Sequence, residues 1–273
     1  MIEWYCKHNT KDTSMLKFSK ANAKIEALSQ CDELKPYLED RRKVYSLDLL
    51  SGYSCPYAEK CLSKAVVQSD GKRKIKDGYR TEFRCFSASQ EVQYTNVYNL
   101  RNHNYETLKA HRDDTDMMYF RLYDSIPSDT GIVRIHVAGD FFNENYFKAW
   151  IRLANKYQGI LFYAYTKSLR YWVNNRDDIP HNFVLTASYG GRDDEMIETH
   201  GLRSAKVILS ENDADGLDID HDDSHAARPS LRDQDFALLI HGTQPKGTEA
   251  ADALKALRRD GVQHSYSRKV AKV

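Results

Sequence analysis

Three cysteines carry the clearest chemical signal in this chain. They stand in S-G-Y-S-Cys55-P-Y-A-E-K-Cys61 and F-R-Cys85-F-S, a C-x5-C-x23-C spacing within one short region dense in Gly, Pro and polar residues. Three thiolates can hold one metal centre and leave a coordination position open. A structural zinc site normally closes with a fourth Cys or His at tight spacing. A cubane iron–sulfur cluster tolerates irregular spacing, because the loop wraps a larger object. The spacing favours a [4Fe–4S] cluster on Cys55, Cys61 and Cys85, with unrelated thiols as the alternative. Five cysteines is an odd number, and the first residues, MIEWYCKHNTKD, contain no apolar export core. A reducing compartment is therefore expected rather than a disulfide framework. Cys6 and Cys31 read as incidental thiols.

A second set of polar residues follows short apolar runs. After GIVRIHV come Gly139 and Asp140; after GILFYAY comes Thr166-Lys167-Ser168; after NFVLTA come Ser188, Gly190 and Gly191. AKVIL leads into Ser210-Glu211-Asn212, and FALLI leads into His241-Gly-Thr-Gln244. Asp140, Lys167 and His241 are the candidate catalytic residues, and His241 is also a candidate fourth metal ligand. Gly139, Ser188, Gly190, Gly191 and Gln244 are candidate cofactor-binding positions, the glycines because they admit close approach of backbone N–H groups. The structural alternatives are plain. Asp140 can cap the following helix, Gly190-Gly191 can be only a tight turn, Lys167 can be solvated, and His241 can bond into the rim.

The elements that must position these residues follow from periodicity. Strands are expected at Lys43–Leu50, Gly131–Val137, Gly159–Tyr165, Asn182–Ala187, Ala205–Leu209 and Phe236–Ile240. Helices are expected at Asn143–Tyr157, Lys167–Asn175, Arg192–His200 and Gly247–Arg259, and through 86–125. Continuously apolar strands alternating with helices call for a parallel sheet covered on both faces. The expected fold class is α/β: a partial (β/α)6 TIM-like barrel with a helical N-terminal extension and a Cys-loop insertion. All the polar strand ends would then share one face. One domain is expected over 1–273, divided into the extension 1–42, first strand with Cys loop and helices 43–130, β/α repeats 131–260, and a frayed basic tail 261–273.

Forty basic against 39 acidic residues exclude a strongly basic nucleic-acid coater at the level of the whole chain. No apolar run approaches the roughly 18 residues of a membrane span, so no membrane partner is expected. The basic run Lys72-Arg73-Lys74-Ile75-Lys76 reads as a surface loop, with phosphate contact as the alternative. Glu211–Asp223 holds seven carboxylates and reads as a solvated loop, with a divalent-cation site as the alternative. Tyrosines between 93 and 123 fit helix packing better than base stacking.

The strings GYSCPYAEKCLSKA, FRCFSASQE, HVAGDFFNENYFKAW, FYAYTKSL, NFVLTASYGG, DHDDSHA and LLIHGTQPKG together resemble the phage family named gene product 88, from about Leu47 to about Arg259. The resemblance implies a viral origin, a host-cytoplasm location, and cluster ligation at Cys55, Cys61 and Cys85; it implies no named reaction. A looser similarity is to radical S-adenosylmethionine enzymes, which place three cysteines after the first strand of a partial barrel, although with C-x3-C-x2-C spacing. That similarity implies S-adenosylmethionine as a cofactor, with Gly139-Asp140 in the place of the glycine turn. The expected function is an iron–sulfur protein whose cluster has an open or non-Cys fourth site, acting as a radical or Lewis-acid enzyme on a small-molecule or nucleic-acid substrate. The alternative is a structural metal protein, zinc or iron–sulfur, that binds nucleic acid or a host protein.

Overall fold

The computed structural model describes residues 15–22 and 26–262. Its centre is an eight-stranded sheet in the order β1-β2-β5-β6-β7-β8-β10-β9. The strands are β1 (Ser19–Lys20), β2 (Lys43–Leu47), β5 (Thr130–Ile135), β6 (Leu161–Thr166), β7 (Phe183–Ser188), β8 (Ser204–Ile208), β9 (Asp218–Ile219) and β10 (Phe236–Leu239). Every neighbouring pair from β2 to β9 is parallel, and only β1 runs antiparallel, against β2. The sheet is open: β1 and β9 are its two edges. It is not a closed barrel. β3 (Ser63–Val67) and β4 (Arg73–Asp77) form a separate antiparallel hairpin.

All the expected apolar runs are strands of this sheet, because each buries both of its faces. Along β5 and β6, Val133, Ile135, Phe162 and Ala164 pack on one side with Met118, Leu122, Phe147 and Trp150. Those partners come from helices α3 (Thr115–Ser125) and α4 (Glu144–Lys156). The intervening residues Ile132, Leu161 and Tyr163 pack on the other side with Leu28, Leu34, Ala226 and Ala227. Alternation between two buried layers is what a parallel sheet requires. Trp150 is fully buried, and truncating such a side chain costs about 3–5 kcal/mol. The remaining helices are α1 (Phe86–Gln93), α2 (Thr95–Lys109), α5 (Leu169–Asn174), α6 (Glu195–Thr199), α7 (Ser224–Ala227) and α8 (Glu249–Arg259).

The described part of the N-terminal extension is largely helical, as two 3-10 segments, Ala27–Gln30 and Asp32–Arg41, the second interrupted by Pro36 and by non-helical Glu39 and Asp40, and it also holds the short strand β1. Other expectations change. Of the basic run only Lys72 lies in a loop; Arg73 to Lys76 belong to strand β4, whose alternation of cations with Ile75 fits a half-buried hairpin. The acidic stretch is only partly solvated. Asp220 and Asp223 are buried at 5% and 0% exposure; Asp223 pairs with Arg134 and accepts from the Tyr163 hydroxyl at 3.2 Å. Ser210 and Asp213 form a capping box there, so this carboxylate is used by its own backbone. Asp140 does not cap α4; Asn143 does, its Oδ1 accepting from Tyr146 N at 2.8 Å. Cys6 and the tail from 263 onward lie outside the described residues.

Candidate functional site

At the carboxyl ends of the parallel strands lies a cavity of about 530 Å³. Cys55, Cys61 and Cys85 all line it, as do Gly139, Asp140, Lys167, Ser188 and His241. Residues from five different segments thus meet at one place, as the strand topology demands when every strand points the same way.

Two sets of bonds hold the cysteine loop over the cavity. The first is a buried ion pair. Ser51 N and Ser51 Oγ donate to the two oxygens of Glu91 at 3.0 and 2.8 Å. Arg101 donates to Glu91 at 3.2 Å and to the Ser87 carbonyl at 3.3 Å. Glu91 has 0% exposure and Arg101 4%. The loop after β2 and the first turn of α1 are therefore tied to one charge pair. The second set is on β7's following turn, where Glu59 N and Lys60 N donate to the Gly190 carbonyl at 3.2 and 3.0 Å.

That turn explains Gly190 and Gly191 differently from an anion cradle. Their N–H groups donate to the Asp194 carboxylate at 2.7 and 2.8 Å, and neither residue lines the cavity. Gly190 has a φ of 93°, which glycine adopts without a Cβ penalty. Gln244 also stands apart from the cavity lining. Its Oε1 accepts from Arg84 N at 2.7 Å, and its Nε2 donates to the Arg84 carbonyl at 3.0 Å and the His241 carbonyl at 3.1 Å. It fastens the loop after β10 to the residue before Cys85.

The thiols share one electrostatic setting. Burial, with Asp140 and the other two sulfurs nearby, pushes Cys55 well above its usual range; Gly52 N donates to its Sγ at 3.3 Å. Burial and Cys61 push Cys85 up to about 11, opposed by the Ser87 and Ala88 N–H groups at the start of α1. These N–H donors at sulfur are the kind that stabilise a ligating thiolate, and a metal cation deprotonates a coordinating thiol outright. Cys31, Cys55, Cys61 and Cys85 are all free thiols. Among the described residues, no group of three or more His, Cys, Asp or Glu side chains stands close enough to hold a single metal ion.

Asp140 is 5% exposed. Its Oδ1 accepts from Thr166 Oγ1 at 2.6 Å and Phe141 N at 2.7 Å, and its Oδ2 from Lys167 N at 2.8 Å. Burial outweighs these bonds and raises its pKa to about 6. Lys167 is 8% exposed. Its Nζ donates to Ser188 Oγ at 2.6 Å, the Ser188 carbonyl at 3.0 Å and the Tyr189 carbonyl at 2.9 Å. His241 Nδ1 lies 3.1 Å from the Leu239 carbonyl, and its ring centroid is 4.9 Å from that of Phe86.

Residues missed by sequence reasoning also line the cavity, chiefly Arg134, His136 and Tyr165. Arg134 pairs with Asp223 and lies 5.2 Å from the Tyr165 ring centroid. His136 is 4% exposed, its Nε2 is 2.9 Å from the Tyr146 hydroxyl, and burial lowers its pKa to about 3. The signal was an Arg and a His inside the otherwise apolar GIVRIHV: a charge in a buried strand needs a partner or a task.

Among the described residues no helix is long and apolar enough to cross a membrane. No curated protein and no solved structure matches the chain. The family model described as gene product 88 matches residues 10–260, and with that span the chain belongs to the gene product 88 family.

Proposed function

We propose that Cys55, Cys61 and Cys85 hold a [4Fe–4S] cluster at the carboxyl-end face of a partial (β/α)6 barrel, and that the cavity beside it receives the substrate of a cluster-dependent enzyme working in the host cytoplasm. The observation that carries this is the meeting of all three cysteines with Asp140, Lys167 and His241 around one cavity. The barrel reading rests on strand order. Each long parallel strand from β2 to β10 is added beside its predecessor, without the reversal that marks a doubly wound sheet.

A cluster held by three thiolates supplies an iron that can act as a Lewis acid or pass an electron. The chain's own residues do the rest. Asp140, near half ionised at mildly acidic pH, can hold or release a proton at Oδ2, which accepts a single bond in the protein. Lys167 presents a fixed ammonium charge. His241, with Nδ1 against a backbone carbonyl, has the arrangement that directs ligation to Nε2. S-adenosylmethionine is the second reading, with Gly139 at the cavity wall as its only support. That residue lines the cavity in left-handed backbone at φ 95°, and its missing Cβ makes room for the protein's own Ser54 and Leu49.

Iron, acid-labile sulfide and zinc content of anaerobically purified protein, with its visible spectrum, tests the proposal. About four iron and four sulfide per chain are expected, and Cys61→Ser should lose the visible absorbance. A fully coloured Cys61→Ser protein sinks the ligand assignment; about one zinc without iron turns the site into a structural one. A change in the reduced electron-spin spectrum on adding S-adenosylmethionine would support the second reading.

A further inference from the structure

The hairpin β3–β4 carries a cationic face that the fold itself does not use. Its register sets Lys64 opposite Lys76 and Val66 opposite Lys74. The two-residue period of a strand places these four on one side. The other side, with Ser63 and Ala65 at 0% exposure, is turned into the protein. Like charges directly opposite one another destabilise an antiparallel pair, so the Lys64–Lys76 pairing costs the hairpin stability. Among the described residues, none of Lys64, Lys74 and Lys76 forms an ion pair, while neighbouring Lys60, Lys72 and Arg84 each have an acidic partner. In a chain of net charge +1, this is a local concentration of positive charge.

One aromatic ring stands against it and a second follows close in sequence. Lys64 Nζ is 4.8 Å from the ring centroid of Tyr53, which is 38% exposed, and Tyr79, just beyond β4, is fully exposed. Cations interleaved with exposed aromatic faces suit phosphates and unpaired bases together. In a duplex the base faces are stacked and a tyrosine ring cannot reach them. We propose that the outer face of the β3–β4 hairpin docks single-stranded nucleic acid, with Lys64, Lys74 and Lys76 on phosphates and Tyr53 and Tyr79 on bases. This reading stands whether or not the cysteines hold a cluster.

The test is fluorescence anisotropy of the full chain with a labelled 20-nucleotide single-stranded DNA at 50 and 200 mM salt. Three phosphate contacts predict that their part of the affinity falls about 20-fold over that range. Lys64→Ala/Lys74→Ala/Lys76→Ala should bind at least tenfold more weakly at 50 mM and lose most of that salt dependence. Tyr79→Ala should weaken binding by about fivefold or more. A control with the same change of net charge, Lys109→Ala/Lys148→Ala/Lys255→Ala, should bind within twofold of the native chain. No binding at 50 mM, tighter binding of the matched duplex, or equal losses in both triple variants would each overturn the proposal. Circular dichroism of each variant confirms that the comparison is between folded proteins.

Discussion

Gln244 and Arg84, 160 residues apart, are joined as though they were neighbouring strands: the Gln244 amide accepts from Arg84 N at 2.7 Å and donates to the Arg84 carbonyl at 3.0 Å. The pair closes the sheet's last connection onto the segment that delivers Cys85. Gln244→Ala should lower stability by about 1–3 kcal/mol, because it leaves two backbone groups of Arg84 without partners. If the cysteines hold a cluster, the same variant should also bind less iron than native protein purified in parallel. Urea unfolding at pH 7 measures the first effect. A variant as stable as the native chain would mean that the loop is held by other contacts.

Glu91 and Arg101 form the buried charge pair from which both the cysteine loop and α1 hang. Removing one partner of such a pair usually costs about 3–5 kcal/mol, because the other charge stays buried alone. Arg101→Met should therefore destabilise strongly, and Glu91→Gln/Arg101→Met should recover part of the loss. The non-additivity can be read from a double-mutant cycle in urea. If the double variant is as unstable as the sum of the two singles, the pair is not coupled.

The strands were legible because a parallel strand buried on both sides leaves a continuous apolar run, and all six such runs lie in the sheet. The convergence of Asp140, Lys167, His241 and the cysteines followed from that topology alone. What stayed hidden depends on contacts distant in sequence. Nothing near Arg134 in sequence announces Asp223, 89 residues on. Nothing in the polar helix sequences marks Glu91 and Arg101 as buried. The β3–β4 hairpin reads as a loop in sequence because its outward side is cationic and its strands are short, so that only register shows which residues share a face. Gly190 and Gly191 read as an anion cradle in sequence, whereas in the fold the Asp194 carboxylate, four and three residues later, takes their N–H groups.

His136 and Asp140 pull the pH dependence of stability in opposite directions. Burial lowers His136 from 6.5 to about 3, so between those values the unfolded chain binds a proton the folded one does not, and stability falls as pH falls. Burial raises Asp140 from 3.8 to about 6, so between those values the folded chain holds the extra proton, and stability rises as pH falls. At roughly 1.36 kcal/mol per pH unit the two nearly cancel between pH 4 and 6. Asp140→Asn should expose the histidine alone, losing about 2 kcal/mol relative to native protein from pH 6.5 to 4. His136→Gln should show the opposite trend, gaining stability relative to native as pH falls from 6 to 4. Parallel curves for all three proteins across that range would refute both shifts.

Lys167 is the group whose charge reaches Asp140. Its ammonium is satisfied by three neutral oxygens of Ser188 and Tyr189, so its charge is not cancelled locally and still acts to lower the pKa of Asp140. Lys167→Met keeps the length of the side chain and removes that charge. Its first effect should be a further rise of the Asp140 pKa above about 6, visible as a shift of the carboxyl titration by carbon-detected NMR. Its second should be a loss of about 1–3 kcal/mol, since three buried acceptors lose their donor. Lys167→Arg keeps the charge but not the compact three-donor head, so it should leave the Asp140 titration nearer its native position while still costing stability. An Asp140 midpoint unmoved in Lys167→Met would show that burial alone sets its proton affinity, and Lys167 would then be left with a purely structural part in the cavity.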